Sequence, residues 1–251
     1  MGKNRLKTVK AGRLVYAVCY SQPCAADAPA ERQAKSKMSS AARQRLNFRA
    51  AWQKLELTLA ANFEARDWFV TLTYDDAHLP PDRDAARAPM RKFLRALREQ
   101  RRRSGRELRY IYNIEEMPEE PGGSKRLHHH AVINAAGDPA EALQALWGRG
   151  AVFAEPLLDG PNDSYEARAR YIVKERQPGA YGRKTGLRAW IPSKNLQPPE
   201  TSSELVPDSV AVAAPPGAFV LDRHDEQNAF GAFSYIKYLL PARPPKPRRR
   251  S

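Results

Sequence analysis

Three consecutive histidines, His128, His129 and His130, stand in a run that continues Ala131, Val132, Ile133. On an extended backbone alternate side chains share a face, so His128 and His130 project together with Cα atoms about 6.8 Å apart, and His129 faces the other way. Two imidazoles at that spacing bind one divalent metal if a third ligand converges on them. The bland alternative is an ordinary His-x-His pair on a strand. Against it, three imidazoles buried in an apolar strand without partners would be costly. A carboxylate is at hand: Glu115 ends the preceding apolar run and Glu116 follows it. An antiparallel neighbour would bring one of the two level with the histidines, and spacing leaves a one-residue ambiguity between them. Tyr171 and Lys174 form a second candidate pair. At i and i+3 of a helix a phenol and an ammonium are neighbours, and a nearby cation favours the nucleophilic phenolate. Taken alone, this pair reads better as a half-buried helix aromatic and a solvated charge.

The elements that must position these groups alternate between strand and helix. The spacing predicts strands at Leu14 to Tyr20, an edge position, and at Trp68 to Tyr74, Leu108 to Glu115, Leu127 to Asn134 and Ala151 to Pro156. A helix from about Ser39 to Phe63 carries Leu46, Ala50, Trp52, Leu55 and Leu59 as its apolar stripe. A second, from Ala85 to Arg103, buries Met90, Phe93, Leu94 and Leu97 and stops at Gly105. Asp138 as N-cap with Pro139 behind it opens a third helix through Leu143, Leu146 and Trp147. Asp163 with Glu166 three residues on opens a fourth, running to about Glu175. The expected fold class is α+β, a central antiparallel sheet of about five strands with helices on one face. The Pro- and Gly-rich segment EMPEEPGGSKR reads as a loop, and the PARPPKPRRRS tail as disordered.

Composition narrows the partners. The chain has 251 residues, a formal net charge of +14 and a pI near 10.0. So basic a surface implies a polyanion, most commonly nucleic acid. No apolar run reaches the 18 or so residues that span a bilayer, which argues against a membrane partner. Cys19 and Cys24 lack a second pair for zinc and read as thiols of a reducing cytosol. No GxxxxGK[ST] phosphate loop is found, so strand separation would need a separate helicase. Arg91, Lys92, Arg98, Arg101, Arg102, Arg103 and Arg248 to Arg250 are candidate phosphate contacts or solvated charges.

Order along the chain adds meaning. FVTLTY (69–74), RLHHHAVIN (126–134) and ARYIVKE (169–175) resemble, in sequence, the three motifs of HUH endonucleases. Among these the chain is most similar to rolling-circle replication initiators of small bacteriophages, over residues 40 to 198, with WIPSKNLQPP resembling their basic segment after the third motif. The resemblance implies an HUH palm of ferredoxin/RRM-like type at 39–198, between a basic arm (1–38) and a Pro-rich basic extension (199–251). It implies His128, His130 and Glu115 as ligands of Mg²⁺ or Mn²⁺, with Thr71 and Thr73 chiefly structural. It implies Tyr171 as a single nucleophile supported by Lys174; Tyr165, six residues earlier, does not fit the YxxxY of paired-tyrosine relatives. His129 departs from the usually hydrophobic middle position. The implied activity is metal-dependent nicking and resealing of a single-stranded DNA origin through a 5′-phosphotyrosine. Host helicase and polymerase would be partners, and the cytoplasm of a bacterial or phage-infected cell the location. A relaxase, a single-tyrosine transposase and a non-catalytic nucleic-acid-binding protein on the same fold remain alternatives.

Overall fold

The near-continuous apolar run from Leu14 to Cys19 needs neighbours on both sides, and a computed structural model of the chain supplies them. The structure describes residues 3–21, 40–116, 126–160, 162–176, 188–228 and 231–242. The expected loop at 117–125, the tail from 243, Cys24 and most of the basic stretch after Arg176 lie outside these residues. The chain divides into two compact units, one of residues 1–37 with 198–251, the other of residues 38–197.

In the first unit, β1 (Lys3–Ala11) and β2 (Leu14–Ser21) form a hairpin closed at Gly12, φ 56°. With β8 (Glu200–Pro207), β9 (Phe219–Asn228) and β10 (Gly231–Leu239) they make an antiparallel sheet ordered β8-β1-β2-β10-β9. The expected edge strand at 14–20 is thus central. Val15, Ala17, Cys19, Val212, Ile236 and Tyr238 form its core.

The second unit holds the candidate chemistry. Its sheet runs β6 (Val152–Pro156), β3 (Trp68–Leu72), β5 (His128–Ile133), β4 (Tyr110–Glu115) and β7 (Ile191–Pro192), all antiparallel. With four described helices the fold is α+β. The helices cover both faces, where one covered face was expected. On one face, α2 (Arg87–Arg103) and α3 (Ala140–Trp147) close a core over Val70, Leu72, Tyr112, Ile114, Ala131 and Ile133. The expected residues Met90, Phe93, Leu94 and Leu97 do this packing. On the other face lies α4 (Glu166–Ile172), whose Ile172 carbonyl accepts a hydrogen bond from Asn113 Nδ2 at 2.9 Å, and α1 (Ser40–Asn62) packs against α4. Both faces are apolar because β5 alternates His130 and Val132 on one side with His129, Ala131 and Ile133 on the other, all buried.

Three local expectations fail for identifiable reasons. The α1 stripe starts at Ala51 and Trp52, while Leu46 is exposed, because the N-terminal part of the helix lies outside its packing against α4. Asp138 caps nothing: its carboxylate is buried against Arg101 at 2.6 Å, and α3 begins after Pro139 without a side-chain cap. This also removes Arg101, fully buried, from the candidate phosphate contacts. Asp163 accepts from the Gly160 amide at 2.6 Å instead of opening α4, which starts at Glu166 and gives way after Ile172 to a 3₁₀ turn, Lys174–Arg176.

Candidate active site

Register decides which side chains meet. β4 and β5 pair Glu115 with His128 and Asn113 with His130; β3 and β5 pair Thr71 with His130. Glu115, His128 and His130 therefore share one face. His130 Nε2 lies 2.9 Å from Glu115 Oε2 and 3.1 Å from His128 Nε2, and His128 Nε2 lies 3.5 Å from the same oxygen. Ligands of a six-coordinate dication at about 2.1 Å stand about 3 Å from their neighbours, so this triangle fits one metal ion. The three form a buried group able to hold one. Glu116 is not among them; its backbone amide donates to Glu175 Oε1 at 2.9 Å.

Both histidines are oriented from behind. His128 Nδ1 donates to the Arg126 carbonyl at 3.1 Å, and since a carbonyl only accepts, the Nδ1 carries the proton and Nε2 is left toward Glu115. His130 Nδ1 is 3.0 Å from Thr71 Oγ1, the same arrangement with a hydroxyl partner. Thr71, expected to be chiefly structural, is in this way tied directly to a candidate ligand. Only the β3–β5 register could have shown it. Phe69, two residues earlier on the same face, stacks on the His130 ring at 5.6 Å between centroids, and the Arg168 guanidinium lies 4.5 Å over Phe69.

Burial alone would raise the Glu115 pKa, but hydrogen bonds from His128, His130 and Lys174 outweigh it and hold the carboxyl well below its ordinary range. Burial likewise opposes a charge on each imidazole. At His128 the hydrogen bond and charge of Glu115 prevail and the pKa rises; at His130 burial prevails and it falls. His129 turns to the opposite face, where Tyr74 Oη meets its Nε2 at 2.7 Å and Trp147 packs on its ring at 5.7 Å. Burial, with the neighbouring His128, pushes its pKa down to about 3. A neutral, aromatic role explains why a histidine is tolerated in that position.

Tyr171 stands at the end of α4, 41% exposed, its ring 4.8 Å from that of His130. Lys174, on the 3₁₀ turn, places its Nζ 3.8 Å from the Tyr171 ring centroid and 2.8 Å from Glu115 Oε1. Burial would lower the lysine pKa; Glu115, and then Tyr171, outweigh it and keep the ammonium charged. All five expected residues thus converge. Tyr165 does not join them: its hydroxyl donates to the Phe63 carbonyl at 2.6 Å inside the unit.

Residues 67–176 match the family model of the replication-associated protein ORF2/G2P family. The matched stretch runs from the residue before β3 to the end of the 3₁₀ turn and contains all five candidate residues. That family is described as replication-associated. Neither the curated proteins nor the solved structures give a match. No described helix is long and apolar enough to cross a membrane.

Proposed function

We propose that this protein is a metal-dependent single-strand DNA endonuclease and strand transferase of HUH type that nicks a replication origin and so starts rolling-circle replication. The observation that carries the reading is the convergence of a two-histidine, one-carboxylate cluster with an exposed tyrosine and a lysine inside the replication-associated match. The endonuclease lies within residues 39–198 and acts in the cytoplasm of a bacterial or phage-infected cell.

His128, His130 and Glu115 would hold Mg²⁺ or Mn²⁺. Held by these residues, such an ion would supply Lewis-acid polarisation of the scissile phosphate. Tyr171 Oη attacks phosphorus, forming a phosphotyrosine ester as the bond to the 3′ oxygen breaks. The phenolic proton passes to solvent and the departing oxygen takes one from solvent, leaving a 3′-hydroxyl for a host polymerase to extend. Charged Lys174 is no base; it stabilises the phenolate and the charge gathering on the phosphate. The ester retains the bond energy, so the reverse attack by a 3′-hydroxyl reseals the strand. Exposure of Tyr171 suits a single strand, whose phosphates can reach it without a paired partner in the way.

The test is cleavage of labelled single-stranded origin-region DNA with Mn²⁺, with and without chelator, by the wild type and by His128→Ala/His130→Ala. Cleavage abolished by the chelator and by the double variant supports the reading. Tight DNA binding with no cleavage on any origin candidate would favour a non-catalytic binding protein instead.

A further inference from the structure

We propose that the groove between α2 and the β4/β7 edge, on the sheet face opposite Tyr171, is a track that grips single-stranded DNA on its way round that edge to the nicking site, an inference that rests on the function proposed above. Helical spacing puts Arg91, Lys92, Arg95 and Arg98 on one flank of α2, all exposed. None makes an ion pair among the described residues. Other cations of this helix are engaged: Arg101 with Asp138, Arg102 and Arg103 with Glu99, Arg87 with Asp84. Four charges along one stripe, with no ion pair among the described residues, are poised to displace counterions from a phosphate backbone.

The stripe borders a cavity of about 610 Å³ floored by Leu94, Tyr110, Tyr112 and Ile191. Ile191 also lines a neighbouring cavity of about 380 Å³, with Arg83, Arg87, Arg188, Trp190 and Asn113 around it. Asn113 ties this end of the groove to the candidate site. It pairs in register with His130, and its amide donates to the carbonyl of Ile172, the residue after Tyr171. Arg83 holds Glu175, the residue after Lys174, at 2.9 Å. From Arg87 to Arg98 the helix rises about 16 Å, room for a few nucleotides.

Aromatic rings within a basic groove select a single strand. Its bases expose π faces that can stack on Tyr110 and Trp190, both half-buried and each lining one of the two cavities. A duplex keeps its bases paired inward and would offer these rings only backbone. The segment WIPSKNLQPP takes its meaning here: β7 closes the sheet edge, and Trp190 and Ile191 form the far bank.

The experiment measures binding of a labelled single-stranded oligonucleotide as a function of salt, in chelator, with the full chain carrying Tyr171→Phe so that no cleavage intervenes. Each phosphate contact on a single strand contributes about 0.7 to the slope of log K against log salt. Replacing Arg91, Lys92, Arg95 and Arg98 by glutamine should lower that slope by about 2 to 3. Arg102→Gln/Arg103→Gln, on the same helix, should change it by less than about 1. Tyr110→Leu should weaken binding about tenfold at an unchanged slope. An unaltered slope in the fourfold variant, or an equal loss on a blunt duplex of the same length, would overturn the track. An Arg95→Gln/Arg98→Gln variant asks the same question with a smaller change of surface charge. Because cleavage is not scored, failure of the nicking reading would show separately, as a wild type that binds this strand but never cuts it.

Discussion

The ammonium of Lys174 lies 2.8 Å from Glu115 Oε1 while standing over the ring of Tyr171, so one cation links the candidate acidic ligand to the candidate nucleophile. Removing it should separate two effects. Lys174→Ala should cut the nicking rate by about 10² to 10³, the cost of losing one fixed charge at a developing anion. It should leave Mn²⁺ affinity unchanged or higher, because Glu115 loses a competing cation. Single-turnover cleavage and metal titration check both; a fall in metal affinity would mean that Lys174 chiefly positions Glu115.

Thr71 is the least obvious contributor. Thr71→Val keeps the shape of β3 but removes the oxygen 3.0 Å from His130 Nδ1. Partners of this kind behind a ligand histidine are worth about 10- to 100-fold in metal affinity. The expected result is a loss of that size by calorimetric titration, with Thr71→Ser restoring most of it and the melting temperature little changed. Equal affinity in the valine variant would assign Thr71 to packing alone.

Arg101 and Asp138 make a prediction about stability. Both side chains are essentially inaccessible, and Asn134 completes the arrangement through its side-chain and backbone oxygens, each 2.8 Å from the guanidinium. Arg101→Met would strand a buried carboxylate at a cost of about 3 to 5 kcal/mol. Adding Asp138→Asn should recover a good part of it. Denaturant unfolding of both variants measures the difference, and a single variant as stable as wild type would contradict the pairing.

Asp67 carries the pH dependence. Its burial raises the carboxyl pKa, an effect that amide hydrogen bonds from Glu64 and Ala135 reduce but do not cancel. A folded-state pKa above the unfolded one contributes stability fully present below the unfolded pKa and lost as pH rises through the folded value. Wild type should therefore gain on Asp67→Asn as pH is lowered from 7 toward the carboxylate range. Parallel unfolding curves at several pH values test this; a relative loss for wild type on acidification would refute it.

Much of this site is legible from local sequence because strand periodicity is local. Alternation alone separates His129 from His128 and His130, and the position of Tyr171 three residues before Lys174 survives the change from α-helix to 3₁₀ turn. What pairing decides is less visible. Glu115 is separated from Glu116 only by the β4–β5 register, and Thr71 finds His130 only through β3–β5. Asp138 looked like a cap because Arg101, 37 residues away, gives no local sign of needing it. The strand β9, DRHDEQ at its centre, has no apolar alternation to announce it and is held by its backbone pairing with β10.

The most direct test is to ask where the DNA becomes attached. Wild-type protein incubated with Mn²⁺ and a labelled single-stranded origin oligonucleotide should yield an adduct that survives denaturing electrophoresis. Mass spectrometry of its peptides should place a 5′-phosphate on Tyr171, and Tyr171→Phe should give no adduct while binding the strand as before. An adduct that persists in Tyr171→Phe, or cleavage that leaves no protein–DNA bond, would contradict the account.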